Sequence, residues 1–77
     1  MKQDKLNTLS HRELEVLQLV AEMKSSNEIA ELLLITPKTV ENHRSSIAKK
    51  LGLTGNNSVL RFGIAHSKRI KLLKPKP

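Results

Sequence analysis

The chain has 77 residues and contains no cysteine, tryptophan or tyrosine, and Phe62 is its single aromatic residue. Without cysteine, neither a disulfide framework nor a thiolate metal site can support the fold. A core with one aromatic residue has to be aliphatic. No apolar run approaches the roughly 20 residues that a membrane-spanning helix needs, and the polar N-terminus precedes no signal-peptide segment. We therefore expect a cytoplasmic protein with no membrane partner.

Acidic residues are absent after Glu41. Residues 1–41 include seven acidic and five basic residues, whereas residues 42–77 include nine basic residues and no acid. The formal charge is thus −2 in the first part and +9 in the second, for a total of +7. Such asymmetry in a small domain is typical of polyanion binding. A solvated basic surface that aids solubility is the alternative, and charge alone does not distinguish DNA, RNA and an anionic membrane.

Start and stop signals divide the chain into four helices. Ser10 and Ser25 each precede a glutamate by three positions, which is the capping-box pattern. Thr36 followed by proline predicts a third helix start, and Gly52 predicts its end. We therefore predict an all-α, four-helix bundle-like domain with a central helix-turn-helix, and helices at about residues 10–23, 26–33, 37–51 and 57–67.

Apolar residues recur at helical spacing within these segments, which predicts the core. The inward positions are Leu14, Leu17, Val20 and Ala21, then Ile29, Ala30 and Leu33, then Val40, Ile47 and Leu51, and then Val59 or Leu60, Phe62 or Gly63, and Ile64. The domain organisation follows: a polar lead or linker over residues 1–8, the helical domain over 9–67, and a basic flexible tail over 68–77.

The third predicted helix has two different faces. Four polar residues lie within a wedge about 60° wide at about 100° per residue, and the apolar residues lie about 180° away. A helix that enters the DNA major groove needs this polarity. Any amphipathic surface helix also has a polar face, but the short helix and tight turn before it favour a helix-turn-helix. The polar wedge consists of Lys38, Asn42, Ser45 and Lys49.

Catalytic and metal sites are not indicated. His11, His43 and His66 are far apart and have no acid or cysteine at metal-ligand spacing. Ser45 and Ser46 adjoin a histidine, but neighbouring residues on a helix do not face each other, and no oxyanion device is visible. We expect no metal, no cofactor and no enzymatic activity.

Four motifs together resemble the LuxR/GerE-type helix-turn-helix domain, the DNA-binding output module of many response regulators and quorum-sensing regulators. The resemblance covers about residues 9–66, and its motifs are highly specific when taken together, although no single one would be. They are LSHRE with the following VL (residues 9–13 and 16–17), SSNEIA (25–30), ITPKTVENHR (35–44) and KLG (50–52).

The resemblance implies that the third helix reads the major groove of double-stranded DNA and that the fourth forms a homodimer. The implied base-facing residues are Glu41, Asn42 and Ser45. The implied DNA-backbone contacts are Thr36, Lys38, Thr39, His43 and Lys49, and the implied dimerisation residues are Val59, Leu60, Gly63 and Ile64. We therefore predict a sequence-specific transcriptional regulator, the output domain of a two-component response regulator. RNA polymerase, and a receiver or sensor domain outside these residues, are the further partners implied.

Several positions depart from the family pattern. Met23 stands where the family usually has glycine, and Leu32 stands where a polar or basic residue is common, which indicates an exposed apolar contact. Glu41 and Ser45 stand at positions that are often basic. The sole aspartate, Asp4, lies in the polar lead, so no phosphoacceptor is assigned. Two alternatives remain: a sigma-factor-like promoter-binding domain, and a basic RNA-binding or ribosome-associated protein, against which the scarcity of aromatic residues counts.

Overall fold

The computed structural model describes residues 5–73, which form a 3-10 turn and five α-helices. The prediction of an all-α domain with a central helix-turn-helix is confirmed for these residues. The prediction of four helices was incomplete, because a fifth helix begins directly after the fourth. The elements are the 3-10 turn Lys5–Thr8, α1 (His11–Ala21), α2 (Ser26–Leu33), α3 (Pro37–Leu51), α4 (Ser58–Ala65) and α5 (Ser67–Leu72).

The helix starts follow the predicted capping residues. The Ser10 hydroxyl accepts a hydrogen bond from the Glu13 N–H at 3.1 Å, and the Glu13 carboxylate accepts from the Ser10 N–H at 2.8 Å. The same reciprocal pair joins residues 25 and 28 at the start of α2. Thr36 caps α3, and proline occupies the first turn, where its missing N–H costs no hydrogen bond. All three predicted caps are confirmed.

α1 lies at the centre of the domain and packs against each of the other four helices. Its residues Val16, Leu17 and Val20 are completely buried. The predicted inward residues of the first three helices are buried, except that Leu33 is half-buried. The remaining core is aliphatic, as expected, and consists of Leu6, Leu9, Leu14, Ala21, Ile29, Ala30, Val40, Ile47, Leu51, Val59 and Ile70.

Both ends of the described chain belong to the packed domain, which corrects the predicted boundaries. Leu6, assigned to a polar lead, is 6% exposed, and Ile70, assigned to a flexible tail, is 0% exposed. The side-chain amide of Gln18 donates to the carbonyls of Ile70 at 3.1 Å and Leu73 at 2.6 Å, which joins the end of α5 to α1. A helix of six residues depends on such packing, because isolated short helices are marginal in water. The rest of the predicted lead and tail, residues 1–4 and 74–77, lies outside the described residues.

α4 packs its backbone against α1 at Gly63. A Cβ atom added to this residue would lie 3.4 Å from the Cα and N atoms of Ala21 and 3.5 Å from Val20 Cγ1. These are ordinary van der Waals distances, so the contact leaves room for a methyl group. Glycine lowers helix stability by roughly 1 kcal/mol relative to alanine.

α1, α2 and α3 end in the same hydrogen-bonded turn, with one residue in the left-handed conformation. That residue is Met23 after α1 (φ 68°), Leu34 after α2 (φ 58°) and Gly52 after α3 (φ 69°). After α1, the Lys24 N–H bonds to the Leu19 carbonyl at 3.1 Å, and the Met23 N–H bonds to the Val20 carbonyl at 2.9 Å. This Schellman arrangement normally has glycine at the left-handed position. The absence of glycine at residue 23 therefore leaves the turn intact but strained.

We predict that Met23→Gly stabilises the domain by about 1 kcal/mol. A left-handed conformation costs an L-residue roughly 1–2 kcal/mol, and the flexibility that glycine adds to the unfolded chain offsets part of that gain. The side chain is 65% exposed, so little burial is lost. Urea unfolding should show a higher midpoint with an unchanged slope.

Leu32→Gly is the matched control for this substitution. It also introduces glycine at an exposed apolar position, but within α2, so it should destabilise the domain by about 1 kcal/mol. Equal or lower stability of Met23→Gly would contradict the strain assigned to residue 23.

Candidate nucleic-acid interface

α3 is buried on one side and exposed on the other, as predicted. Val40 and Ile47 are 0% exposed and Leu51 is 7% exposed. The four residues of the predicted polar wedge, at spacings of four, three and four positions, are all exposed. Side chains at these spacings share one helix face. We call this surface, formed by Lys38, Asn42, Ser45 and Lys49, the outer face of α3.

α2 and the turn after it set the position of α3. α2 packs on α3, and its Ile29 and Ala30 are buried. The left-handed Leu34 reverses the chain, and Ile35 N–H bonds back to the Ala30 carbonyl at 3.0 Å. The predicted tight turn before α3 is therefore confirmed, and α2 and α3 together form a helix-turn-helix.

The start of α3 carries two threonines, Thr36 and Thr39, for which the family resemblance implies contacts with the DNA backbone. The Thr36 hydroxyl accepts from the Thr39 N–H at 3.1 Å, and the two hydroxyl oxygens lie 2.9 Å apart. Thr36 is exposed and Thr39 is half-buried. Both hydroxyls therefore serve the helix cap, and the exposed Lys38 lies between them in sequence.

The two edges of the outer face differ in their neighbours. On one edge, Glu41 is exposed and accepts a hydrogen bond from the Ser26 hydroxyl of α2. Arg44 lies on the same side and lines a groove with Glu41, Ser45 and the start of α4. On the other edge, His43 is half-buried. No role was predicted for Ser26 or Arg44 from the sequence. Helical spacing alone gave Arg44 no contact, and only the fold brings Ser26 close to Glu41.

A buried carboxylate ties the end of α3 to the start of α1. Glu13 is 6% exposed, and besides capping α1 it accepts a hydrogen bond from Lys50 Nζ at 2.7 Å. Burial raises the pKa of Glu13, but the hydrogen bonds from Lys50 and Ser10 and the Lys50 charge outweigh it and hold the pKa below its usual value. The capping pattern indicated the first partner of Glu13, but nothing local indicated the second, 37 positions away.

The carboxylate of the second capping box is also stabilised in its charged form. Hydrogen bonds from the backbone and the hydroxyl of Ser25 lower the pKa of Glu28. This residue is exposed, so the effect concerns the local cap at the start of α2.

The four residues assigned to dimerisation do not share one environment. Val59 is 5% exposed and Gly63 is buried against α1. Leu60 is half-buried, and Ile64 is 49% exposed. Val59 and Gly63 therefore pack inside the domain. Leu60 and Ile64 are the two members of the set that another chain can contact.

Residues 5–73 contain neither a metal-binding cluster nor a membrane-spanning helix. No group of three or more histidine, cysteine, aspartate or glutamate residues is placed to hold a metal ion there. None of the helices in that range has the length and apolar character that crossing a bilayer requires.

A short helix, a tight turn and a longer helix with an exposed polar face define a helix-turn-helix domain. The family described as GerE, bacterial regulatory proteins of the luxR family, matches residues 7–62. The match covers most of the chain, and the chain belongs to this family. The resemblance drawn from the motifs is thereby confirmed.

Curated relatives share the matched region. The transcriptional regulatory protein TdiR of Thauera aromatica is 51% identical over 59 residues, which are 77% of this chain and 26% of that protein. YgeK of Escherichia coli K12, described as an uncharacterized response regulatory protein, is 45% identical over 62 residues, 75% of this chain and 42% of that protein. The oxygen regulatory protein NreC of Staphylococcus aureus is 41% identical over 61 residues, 79% of this chain and 28% of that protein.

The chain therefore spans less than half the length of each of these relatives. No solved structure matches the chain at a significant level.

The bond between Glu13 and Lys50 predicts a pH-dependent stability. Because the pKa of Glu13 is lowered in the folded state, its carboxylate stabilises the fold above the unfolded-state pKa, and this stabilisation is lost as the pH falls through the folded-state pKa. Glu13→Gln keeps an acceptor for the cap and removes the charge. It should cost about 1 kcal/mol at neutral pH, a value reduced for solvent screening because the Lys50 side chain is 40% exposed.

Urea unfolding at a series of pH values checks this expectation. The stabilities of wild type and Glu13→Gln should converge in acid, whereas Glu31→Gln, at an exposed position of α2, should stay within about 0.5 kcal/mol of wild type at neutral pH. A constant difference between wild type and Glu13→Gln down to about pH 3 would contradict the assigned charge effect.

Proposed function

We propose that this chain is the sequence-specific double-stranded DNA-binding domain of a transcription regulator, with α3 in the major groove. The observation that carries the proposal is the exposed outer face of α3, which is held in place by the buried opposite side of the same helix. Family membership supports it, because the family consists of bacterial regulatory proteins. Binding is the proposed role, and no catalytic step is part of it.

The proposed contacts are those that the family resemblance implies, and side-chain chemistry supports them. Asn42 can bond adenine through two hydrogen bonds, Glu41 can accept from the amino group of cytosine, and Ser45 can bond to more than one base. The backbone contacts are proposed at Lys38 and Lys49 and at Thr36, Thr39 and His43. Lysines near both ends of α3 would neutralise phosphates on the rims of the groove.

The proposed context is a two-component response regulator in the cytoplasm. The support comes from the relatives: one is described as a response regulatory protein and another as a transcriptional regulatory protein, and each is much longer than the matched region. A receiver domain and RNA polymerase are the corresponding proposed partners.

Substitutions on α3 test the groove-reading proposal. Duplex binding should weaken steeply with salt, because protein–phosphate contacts release counterions. Asn42→Ala should reduce discrimination among duplexes by an amount equivalent to about 1–3 kcal/mol at one base pair. Lys38→Ala or Lys49→Ala should weaken binding to all duplexes alike and make the salt slope shallower by about one unit. Fluorescence anisotropy titrations at several salt concentrations measure both effects.

Glu22→Ala is the control for this series, because it changes an exposed charged residue next to α1, away from the outer face of α3. It should leave base discrimination unchanged. Equal affinity of the wild type for duplex DNA and single-stranded RNA, unaltered by Asn42→Ala, would overturn the proposal.

We further propose that the chain pairs as a homodimer through α4 when it is bound to DNA. Leu60 and Ile64 are the accessible apolar residues of the predicted set. Sedimentation with a duplex that carries two half-sites should give two chains per duplex, and Ile64→Lys should reduce this to one. Strict one-to-one binding by the wild type would contradict dimerisation.

A further inference from the structure

The carboxylate of Glu41 is held by a residue of another helix. The hydroxyl of Ser26, the first residue of α2, donates a hydrogen bond to Glu41 Oε2 across 15 positions of sequence. Glu41 lies at the edge of the outer face of α3, in the second turn of that helix. This hydrogen bond therefore connects the start of α2 to the proposed base-reading surface.

The donor and the acceptor are both on fixed backbone. Ser26 follows the capping residue of α2, whose backbone is fixed by two reciprocal hydrogen bonds of 2.8 and 3.1 Å with Glu28. Glu41 follows Val40, which is 0% exposed in the core. The start of α2 also carries the partial positive charge of a helix N-terminus, which favours a carboxylate at this place.

Arg44 is the competing partner for Glu41. The two side chains are three positions apart on one helix, a spacing at which opposite charges commonly pair, and both line the grooves between α3 and the start of α4. Within residues 5–73, however, none of the ion pairs joins Glu41 to Arg44. The Ser26 hydroxyl thus holds Glu41 on the α2 side. Arg44 then remains available to an external anion.

We propose that Ser26 is a positioning residue for DNA sequence choice. With Oε2 of Glu41 bonded to Ser26, Oε1 is the oxygen left to accept from a base edge, and the amino group of cytosine is the donor that matches a carboxylate. Arg44 is left to bind a phosphate. Ser26 itself touches no base and acts through Glu41. This inference rests on the proposed function and adds a residue of α2 to the determinants of specificity.

The test measures discrimination at the base pair that Glu41 reads. With the full chain and its preferred duplex from in vitro selection, the base pair at which Glu41→Ala loses discrimination is identified first. Ser26→Ala should reduce discrimination at that same base pair roughly three- to tenfold. It should leave the base pair that depends on Asn42 unchanged. Ser26→Thr, which keeps the hydroxyl, should retain the wild-type preference.

A double-mutant comparison separates positioning from a general structural effect. In the Glu41→Ala background, Ser26→Ala should cause no further loss, because its effect passes through Glu41. Thermal unfolding of each variant establishes that it is folded under the conditions of the titration.

Three results would overturn the inference while leaving the proposed function intact. They are unchanged discrimination in Ser26→Ala, a loss in Ser26→Thr equal to that in Ser26→Ala, and a full effect of Ser26→Ala in the Glu41→Ala background. If the wild-type chain does not discriminate among duplexes at all, the proposed function fails, and the inference fails with it.

Discussion

The burial of one side of α3 is the constraint on which the rest of the structure depends. Val40 and Ile47 are fully buried and Leu51 is nearly so, and each such side chain contributes roughly 1.5–3 kcal/mol when it leaves water. Because the net stability of a small domain can be as low as about 5 kcal/mol, exposure of even one of these side chains would remove a large part of it. Turning α3 about its axis by one residue, about 100°, would bring Val40 towards water and carry Asn42 off the outer face.

Three sets of side-chain hydrogen bonds connect the helices in addition to the packing of the core. The bond between Glu13 and Lys50 joins the start of α1 to the last turn of α3, and the bond between Ser26 and Glu41 joins the start of α2 to the second turn of α3. Gln18 holds the end of α5 through two backbone carbonyls. Each set involves a residue at a helix end, where backbone groups lack partners within the helix. The first two sets hold α3 near both of its ends.

Local features of the fold were predictable because each depends on residues a few positions apart. The caps at Ser10, Ser25 and Thr36, the stop at Gly52 and the two faces of α3 are of this kind. α5 was not predictable from its basic composition, since its formation depends on Ile70 reaching the core and on Gln18, 52 positions before it.

The candidate interface was predictable from the sequence only where it depends on the spacing of residues within one helix. The exposed residues of the outer face of α3 follow from helical spacing, and the structure places all four on one surface. The roles of Ser26 and Lys50 required the fold, because their partners lie 15 and 37 positions away. The burial of Val59 and Gly63 also required it, since α4 is apolar on more than one side, and only its packing on α1 decides which side faces inward. The base and backbone roles of the individual residues stay predictions.

Amide chemical-shift mapping of the full, isotope-labelled chain during titration with duplex DNA would show whether the outer face of α3 is the DNA-binding surface. The largest shifts should fall on this face, at Lys38, Asn42, Ser45 and Lys49, and on its neighbours Thr36 and Glu41. The equally basic and exposed Lys68 and Lys71 of α5 should shift little. Shifts centred on α5, with the outer face of α3 unaffected, would show that DNA binds elsewhere on the domain.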